Sequence, residues 1–259
     1  MNEKIQFELD KFDEDGYVVI RLNGVNELID MINCDVNQLI ESGNYKTNSK
    51  IYSYNNSPRI VESWKYSIAA KNLAFNEQLI EFLSSYYQAI PRPFSTINFL
   101  RSTEQPLHSD YVHFGTIPQF RLAAVWVALE DIDYRSGPIQ VVAGSHRMSE
   151  FTYSQIGLPV ARSLGDIKRH YEIYENWVRS EVSTLKSQII TPNLQKGDAI
   201  IWQANLLHGS PDCLDNGISR KSQVIHYHFD DTEVFYNPSF SDPIKEKYVL
   251  RDVKFIPSA

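Results

Sequence analysis

Five short runs, each dense in Val, Ile, Phe, Tyr or Trp and each fenced by turn-forming residues, constrain this chain more than anything else in it. They occupy residues 94–100, 121–129, 138–142, 199–202 and 222–229. The fences are Ser136-Gly137-Pro138, Gly144-Ser145, Lys196-Gly197-Asp198 and Asn216-Gly217. Short, punctuated strands of this kind close their edges as an antiparallel sandwich or barrel. The first 90 or so residues have another texture. Leu28, Ile29, Ile32, Val36, Leu39 and Ile40 recur at helical spacing, as do Leu73, Leu79, Ile80, Phe82 and Leu83. The spacing predicts helices over 25–40 and 67–87, the second ended by Pro91 and Pro93. A compact β-type run at residues 17–20 follows Asp15-Gly16, and one further helical stretch, 164–185, interrupts the later strands. The fold class is therefore α+β, N-terminal helices packed against a β-sandwich. Without repeats, low-complexity tracts or a Gly/Ser linker, residues 1–259 read as one domain. It has a mainly helical part (1–93), a strand-rich core (94–229) with a helical insert at about 147–190, and a C-terminal extension (230–259).

Composition excludes several classes. With 42% hydrophobic and 22% charged residues the chain is ordinary globular protein, and its net charge of −7 with no basic run argues against nucleic acid as a partner. Its longest apolar run spans residues 122–129, far short of the about 20 residues that cross a bilayer, so no membrane partner is expected. The N-terminus is charged throughout and lacks the apolar stretch of a secretory signal. The two cysteines, Cys34 and Cys213, make no disulfide framework. Together these features lead us to expect a cytoplasmic protein.

Candidate chemistry begins at Gln105-Pro-Leu-His108-Ser-Asp110. In an extended segment residues i and i+2 point the same way, so His108 and Asp110 can share one ion. A third ligand must come from elsewhere, and His208, just after the run 199–202, is the best candidate. Two imidazoles and a carboxylate on one side of an ion leave the opposite positions open, the arrangement of non-haem Fe(II) oxygenases. The His-x-Asp pair alone also arises by chance. Arg220 adds weight, because it shares parity with Ser222, Val224, His226 and His228 on the last strand. If that face is interior, Arg220 is a buried cation in need of an anion, and its fork suits a carboxylate. Taken by itself it also reads as a surface arginine after a turn.

In order, the chain carries Leu107-His-Ser-Asp110, Ala124-Val-Trp-Val-Ala-Leu129, Ser136-Gly-Pro138, Ala143-Gly-Ser-His146, Lys196-Gly-Asp198, His208-Gly-Ser210 and Arg220. This succession resembles the phytanoyl-CoA dioxygenase family of Fe(II)- and 2-oxoglutarate-dependent oxygenases, which includes ectoine-hydroxylase-like members. The resemblance covers about half of the chain, from near Ile97 to Phe229. It implies a double-stranded β-helix (a jelly-roll, cupin-like core) with the N-terminal helices packed on it. It implies His108, Asp110 and His208 as iron ligands, with 2-oxoglutarate held by Arg220 and Ser210, lined by Trp126 and contacted by Asn98. It implies O2 as oxidant; it does not name the primary substrate, which we expect to be a small-molecule metabolite or natural-product intermediate. Ala143 replaces the family's usual Pro before Gly-Ser-His. Related halogenases put a small residue where Asp110 stands, so hydroxylation is expected over halogenation, with desaturation, ring closure and epimerisation left open.

Around this core the readings divide. Tyr111, His113 and Phe114 leave the metal pair and are expected to border substrate, and His226 either lines the cavity or is a hydrogen-bonded core residue. His146 reads as a loop hydrogen-bonder. The stripe of Tyr171, Tyr174 and Val178 makes residues 164–185 either a lid or a helix packed on the sheet. Arg59, Trp64 and Arg162 are unranked substrate contacts. The rival functions are a jelly-roll isomerase or hydrolase using another divalent metal, and a non-catalytic small-molecule-binding protein.

Overall fold

The computed structural model describes residues 3–42, 51–54, 57–185, 189–236 and 239–258. Its five α-helices are α1 (Glu3–Asp15), α2 (Asn26–Glu41), α3 (Ile68–Ala74), α4 (Glu77–Tyr87) and α5 (Leu164–Thr184). The strands are β1 (Tyr17–Arg21), β2 (Ile51–Tyr54), β3 (Ser57–Val61), β4 (Pro91–Phe99), β5 (Gly115–Ile117), β6 (Leu122–Ala128), β7 (Gln140–Val142), β8 (Ile189–Ile190), β9 (Asp198–Gln203), β10 (His208–Gly209), β11 (Ser222–Phe229) and β12 (Glu233–Phe235). They form three antiparallel sheets, ordered β1-β9-β6-β11-β4-β3-β2, β10-β7-β8 and β12-β5.

The pleat of β6 explains the layering. Every residue from Leu122 to Ala128 is buried, so both faces of the large sheet are covered. Ala123, Val125 and Val127 face the N-terminal helices, packing with Phe12, Ile32, Leu73 and Leu83. Ala124, Trp126 and Ala128 face the other way, onto Val141 of the small sheet and Ile139 just before it. Beyond that sheet, α5 supplies a further layer: Tyr174 and Val178 pack with Val142, Phe151 and Leu207. Residues 164–185 therefore pack on the sheet with their buried stripe, while Tyr171 turns toward a cleft described below.

The structure departs from the sequence reading in three places. The single helix expected over 67–87 is two, because Asn76 interrupts it and caps α4, its side-chain oxygen accepting from the backbone N–H groups of Gln78 (3.1 Å) and Leu79 (3.3 Å). Pro91 and Pro93 lie inside β4 rather than after a helix. The mainly helical segment 1–93 also contributes β1, β2 and β3 to the large sheet, so it does not stand apart as a helical layer. Among the described residues no helix is long and apolar enough to cross a membrane.

Candidate metal centre

His108 and His208 are brought together by the backbone. Each donates its main-chain N–H to the other's carbonyl at 2.9 Å, an isolated antiparallel bridge between the 105–110 loop and β10. The approach is close enough to require glycine next door. A Cβ on Gly209 would lie 2.7 Å from the carbonyl oxygen of Gln105 and 3.0 Å from the Leu107 nitrogen. Asp110 opens a short 3-10 turn, Asp110–Val112, that aims its carboxylate back at the histidines. Ligand atoms of His108, Asp110 and His208 all lie within 4.8 Å of one another, and all three side chains are buried.

The orientation of each ring follows from its second nitrogen. His108 Nδ1 is 2.9 Å from the Pro106 carbonyl and His208 Nδ1 is 3.1 Å from the Leu206 carbonyl. A carbonyl only accepts, so each Nδ1 carries the proton and each Nε2 keeps its lone pair for the cluster. Burial, with the neighbouring His208, pushes His108 down to about 3. Burial likewise lowers His208. Both rings are therefore neutral, the form that ligates metal. For Asp110, burial alone would raise the carboxyl, but the surrounding imidazoles, His208 first, hold it well below the carboxylate range.

Asp110 has a built seat. Ala124 of β6 lies between Trp202 of β9 and His226 of β11 in one cross-strand row, and its small side chain leaves room there. The indole N–H of Trp202 donates to Asp110 Oδ2 at 2.8 Å, and His226 Nε2 is 3.6 Å from the same oxygen. Oδ1 is left 3.6 Å from His208 Nε2.

Arg220 opens onto the same pocket. It is 3% exposed, and its guanidinium donates to Ser210 Oγ at 3.0 Å and to the Gly137 carbonyl at 3.3 Å, while its Nε–H has no acceptor. No carboxylate pairs with it among the described residues, and burial lowers its pKa to about 10. Its guanidinium carbon lies 5.6 Å from the Trp126 ring centre and 5.9 Å from that of Phe99. Arg59 borders the pocket from β3, 5.3 Å from Phe99.

The structure thus brings His108, Asp110, His208, Arg220, Ser210, Trp126 and His226 around one pocket. Four of the expected residues, Asn98, Tyr111, His113 and Phe114, lie outside it. Asn98 is on the other face of β4: Ile97 and Phe99 point into the pocket, whereas Asn98 pairs across the sheet with Gln223 and Ile60 on the side of the helices. Tyr111 is turned by the 3-10 bend into a satellite core with Leu122, Ala204 and Phe120. His113 and Phe114 line a neighbouring cleft. His228 is buried and stacked on Phe94 at 4.2 Å, and His146 bonds the Asp13 carbonyl as a loop residue. Trp64 packs against the helical core and Arg162 is exposed. Three contributors escaped the sequence reading. These are Trp202, Gln105, whose amide donates to His108 Nε2 at 3.1 Å, and Tyr174, whose hydroxyl accepts the Ser109 N–H at 2.8 Å. Only Trp202 had a signal, the parity of β9.

A family model described as Phytanoyl-CoA dioxygenase (PhyH) matches residues 12–222. The chain belongs to the phytanoyl-CoA dioxygenase family. No curated protein matches it in sequence. Among solved structures it is similar to the non-heme alpha ketoglutarate dependent carbocyclase SnoK from nogalamycin biosynthesis, at 14% identity and a TM-score of 0.67, covering 96% of this chain and 93% of that one. It is similar to the epimerase SnoN in complex with Fe3+, alpha ketoglutarate and nogalamycin RO, at 17% identity and a TM-score of 0.64, covering 98% of each chain. It also resembles EctD from S. alaskensis with 2-oxoglutarate and 5-hydroxyectoine, at 18% identity and a TM-score of 0.67, covering 98% of this chain and 85% of that one. At such identities these likenesses establish a common fold. In this phytanoyl-CoA dioxygenase family member the matched segment holds the clustered His108, Asp110 and His208 and also Arg220, and residues 223–259 lie beyond it.

Proposed function

We propose that this protein is an Fe(II)- and 2-oxoglutarate-dependent oxygenase that hydroxylates a small-molecule substrate, built as a single cytoplasmic domain on a double-stranded β-helix. The observation that carries the proposal is Arg220, a buried cation lacking a carboxylate partner among the described residues, in the pocket that also holds two neutral imidazoles and an ionised carboxylate. The donor set fits the ion: His108, His208 and Asp110 each offer one donor atom, all within 4.8 Å of one another. When bound, iron with O2 supplies the redox chemistry that couples decarboxylation of 2-oxoglutarate, to succinate and CO2, with insertion of an oxygen atom into a substrate C–H bond.

The chain's own residues supply positioning. Arg220 and the Ser210 hydroxyl would hold the far carboxylate of 2-oxoglutarate, which would satisfy the idle Nε–H. Trp126 and Phe99, which lie beside the Arg220 guanidinium, would shield that carboxylate from water and strengthen the pairing. Trp202 fixes the plane of Asp110, and the Pro106 and Leu206 carbonyls fix the two imidazoles. His226 lines the same pocket beside Asp110, its Nε2 3.6 Å from Oδ2. Retention of a carboxylate at position 110 favours hydroxylation over halogenation.

The test is succinate formation from 2-oxoglutarate with Fe(II) and O2, screened against a metabolite panel. We expect Fe(II)-dependent succinate release that rises with the true substrate and is abolished by Asp110→Ala. Turnover in that variant, or failure of the purified protein to bind either Fe(II) or 2-oxoglutarate, would overturn the proposal and leave a jelly-roll isomerase, hydrolase or binding protein in its place.

A further inference from the structure

Next to the metal pocket lies a second, larger cavity of about 630 Å³. This lies within the roughly 300–1,000 Å³ that buries a drug-sized ligand. One wall is α5, through Ile167 and Tyr171; the opposite wall is the C-terminal stretch, through Tyr236 and Phe240; the floor is His113 and Phe114. The rings are organised. His113 stacks on Tyr171 with centroids 5.6 Å apart, Tyr236 meets Phe240 edge-on at 5.7 Å, and the Arg251 guanidinium covers Phe114 at 4.9 Å and Tyr236 at 5.3 Å. Tyr236 and Phe240 each leave 38% of their surface open, an unusual exposure for aromatic residues facing one cleft. The charges at its edge balance, Lys168 and Arg251 against Glu172 and Glu175, so shape and apolar surface are left to select the ligand.

The cleft adjoins the metal pocket, with the His113 and Phe114 rings between them. The His113 ring centre is 6.3 Å from that of His108, and the Phe114 ring centre is 5.6 Å from that of His226, which itself contacts Asp110. One short segment therefore starts with a metal-cluster carboxylate, Asp110, and ends as the cleft's floor, Phe114.

We propose that this cleft is the primary-substrate site, and that it takes a bulky, largely apolar, ring-bearing molecule in preference to a small polar metabolite. The identification as substrate rests on the oxygenase proposal above; the ring-binding character rests on the cleft alone. A ring system of two to four fused or linked rings covers Tyr171 on one side and Phe240 on the other, with its polar substituents at the charged rim. A small zwitterion leaves most of that apolar wall wet and gains little from it. Of the two walls, α5 lies between β7 and β8, and Tyr236 and Phe240 lie beyond residues 12–222.

The test is binding of ring probes to the metal-free full-length protein, read by calorimetry or saturation-transfer NMR. The probes are 2-naphthol, naringenin and estradiol, with L-proline as the small polar control. At least one ring probe is expected to bind and L-proline is not. Ile167→Trp, which fills the cleft, is expected to weaken that binding about tenfold or more. Phe240→Ala, at an exposed position that folding tolerates, is expected to weaken it in the same direction. Absence of binding by every ring probe, equal binding of L-proline, or undiminished binding in both variants overturns the assignment. Fe(II)-dependent succinate formation, measured in parallel, separates the two proposals. Succinate without ring-probe binding refutes the cleft, whereas ring-probe binding without succinate refutes the oxygenase and leaves the cleft standing.

Discussion

Replacing Trp202 by Phe isolates the hydrogen bond that holds Asp110. The indole N–H donates to Oδ2 at 2.8 Å inside a buried pocket, and the same ring lies 4.4 Å from that of His208. Phe keeps an aromatic ring beside His208 and removes the donor. A hydrogen bond to a charged group contributes about 1.5–3 kcal/mol. With Oδ2 released, the carboxylate rotates away from the position that keeps Oδ1 near His208. The expected result is metal binding weakened roughly ten- to a hundredfold, in line with other losses of groups that orient metal ligands. The metal-free protein is expected to lose stability as well, because a carboxylate stays buried without its donor. The assay is anaerobic metal titration against a chromophoric chelator, paired with thermal denaturation of the metal-free protein. Metal affinity within about twofold of the parent would refute the reasoning, even if the protein melted earlier, because Trp202 would then act through packing alone.

Other perturbations probe other contacts. Arg220→Met replaces a buried cation with an apolar side chain, so the ligand-free protein is expected to be as stable as the parent or more so. In that variant the rise in melting temperature on adding 2-oxoglutarate, measured by thermal shift, is expected to vanish; a persisting rise would contradict the assigned role. Gly209→Ala drives a Cβ into the Gln105 backbone and is expected to cost about 1–3 kcal/mol by urea unfolding, with metal binding weakened too. Native stability here would mean that the 105–107 loop yields freely. Burial lowers His228 to about 3. Its contribution to stability is therefore complete above the unfolded-state value of about 6.5 and is lost as pH falls from there toward 3. In His228→Phe the decline of unfolding free energy between pH 6.5 and 5 is expected to be shallower than in the parent, and an identical slope would show that His228 is not buried neutral.

How far the sequence could be read depended on the kind of contact. The face shared by Arg220, Ser222, Val224, His226 and His228 was legible because a strand has a period of two and polar residues marked one side of it. The His-x-Asp pair with a distant His was legible as a set of donors. Asn98 was misplaced for the converse reason. Both faces of β4 are covered, so the alternation Thr96-Ile97-Asn98-Phe99 carries no sign of which side holds the pocket. Tyr111 was misplaced because a single 3-10 turn after Asp110 rotates it away from the metal cluster. Trp202 was missed because its bond to Asp110 joins β9 to a 3-10 turn 92 residues earlier in the chain, and strand parity gives the face of Trp202 without naming its partner. The break between α3 and α4 was readable in principle from the capping residue Asn76, which the apolar spacing on both sides concealed.

The outermost strand of the large sheet has a consequence for biosynthesis. Tyr17 in β1 pairs with Trp202 in β9, and His108 pairs with His208. Residues made at the start of translation must wait for strands made near its end. Contacts of such long sequence separation slow folding and leave apolar strand surface exposed in the interim. A nascent chain that has emerged only through α5 carries Asp110 without Trp202 and His108 without His208. The His108–Asp110–His208 cluster is therefore complete only after β10 has been made, and β1 has no partner strand until β9 arrives.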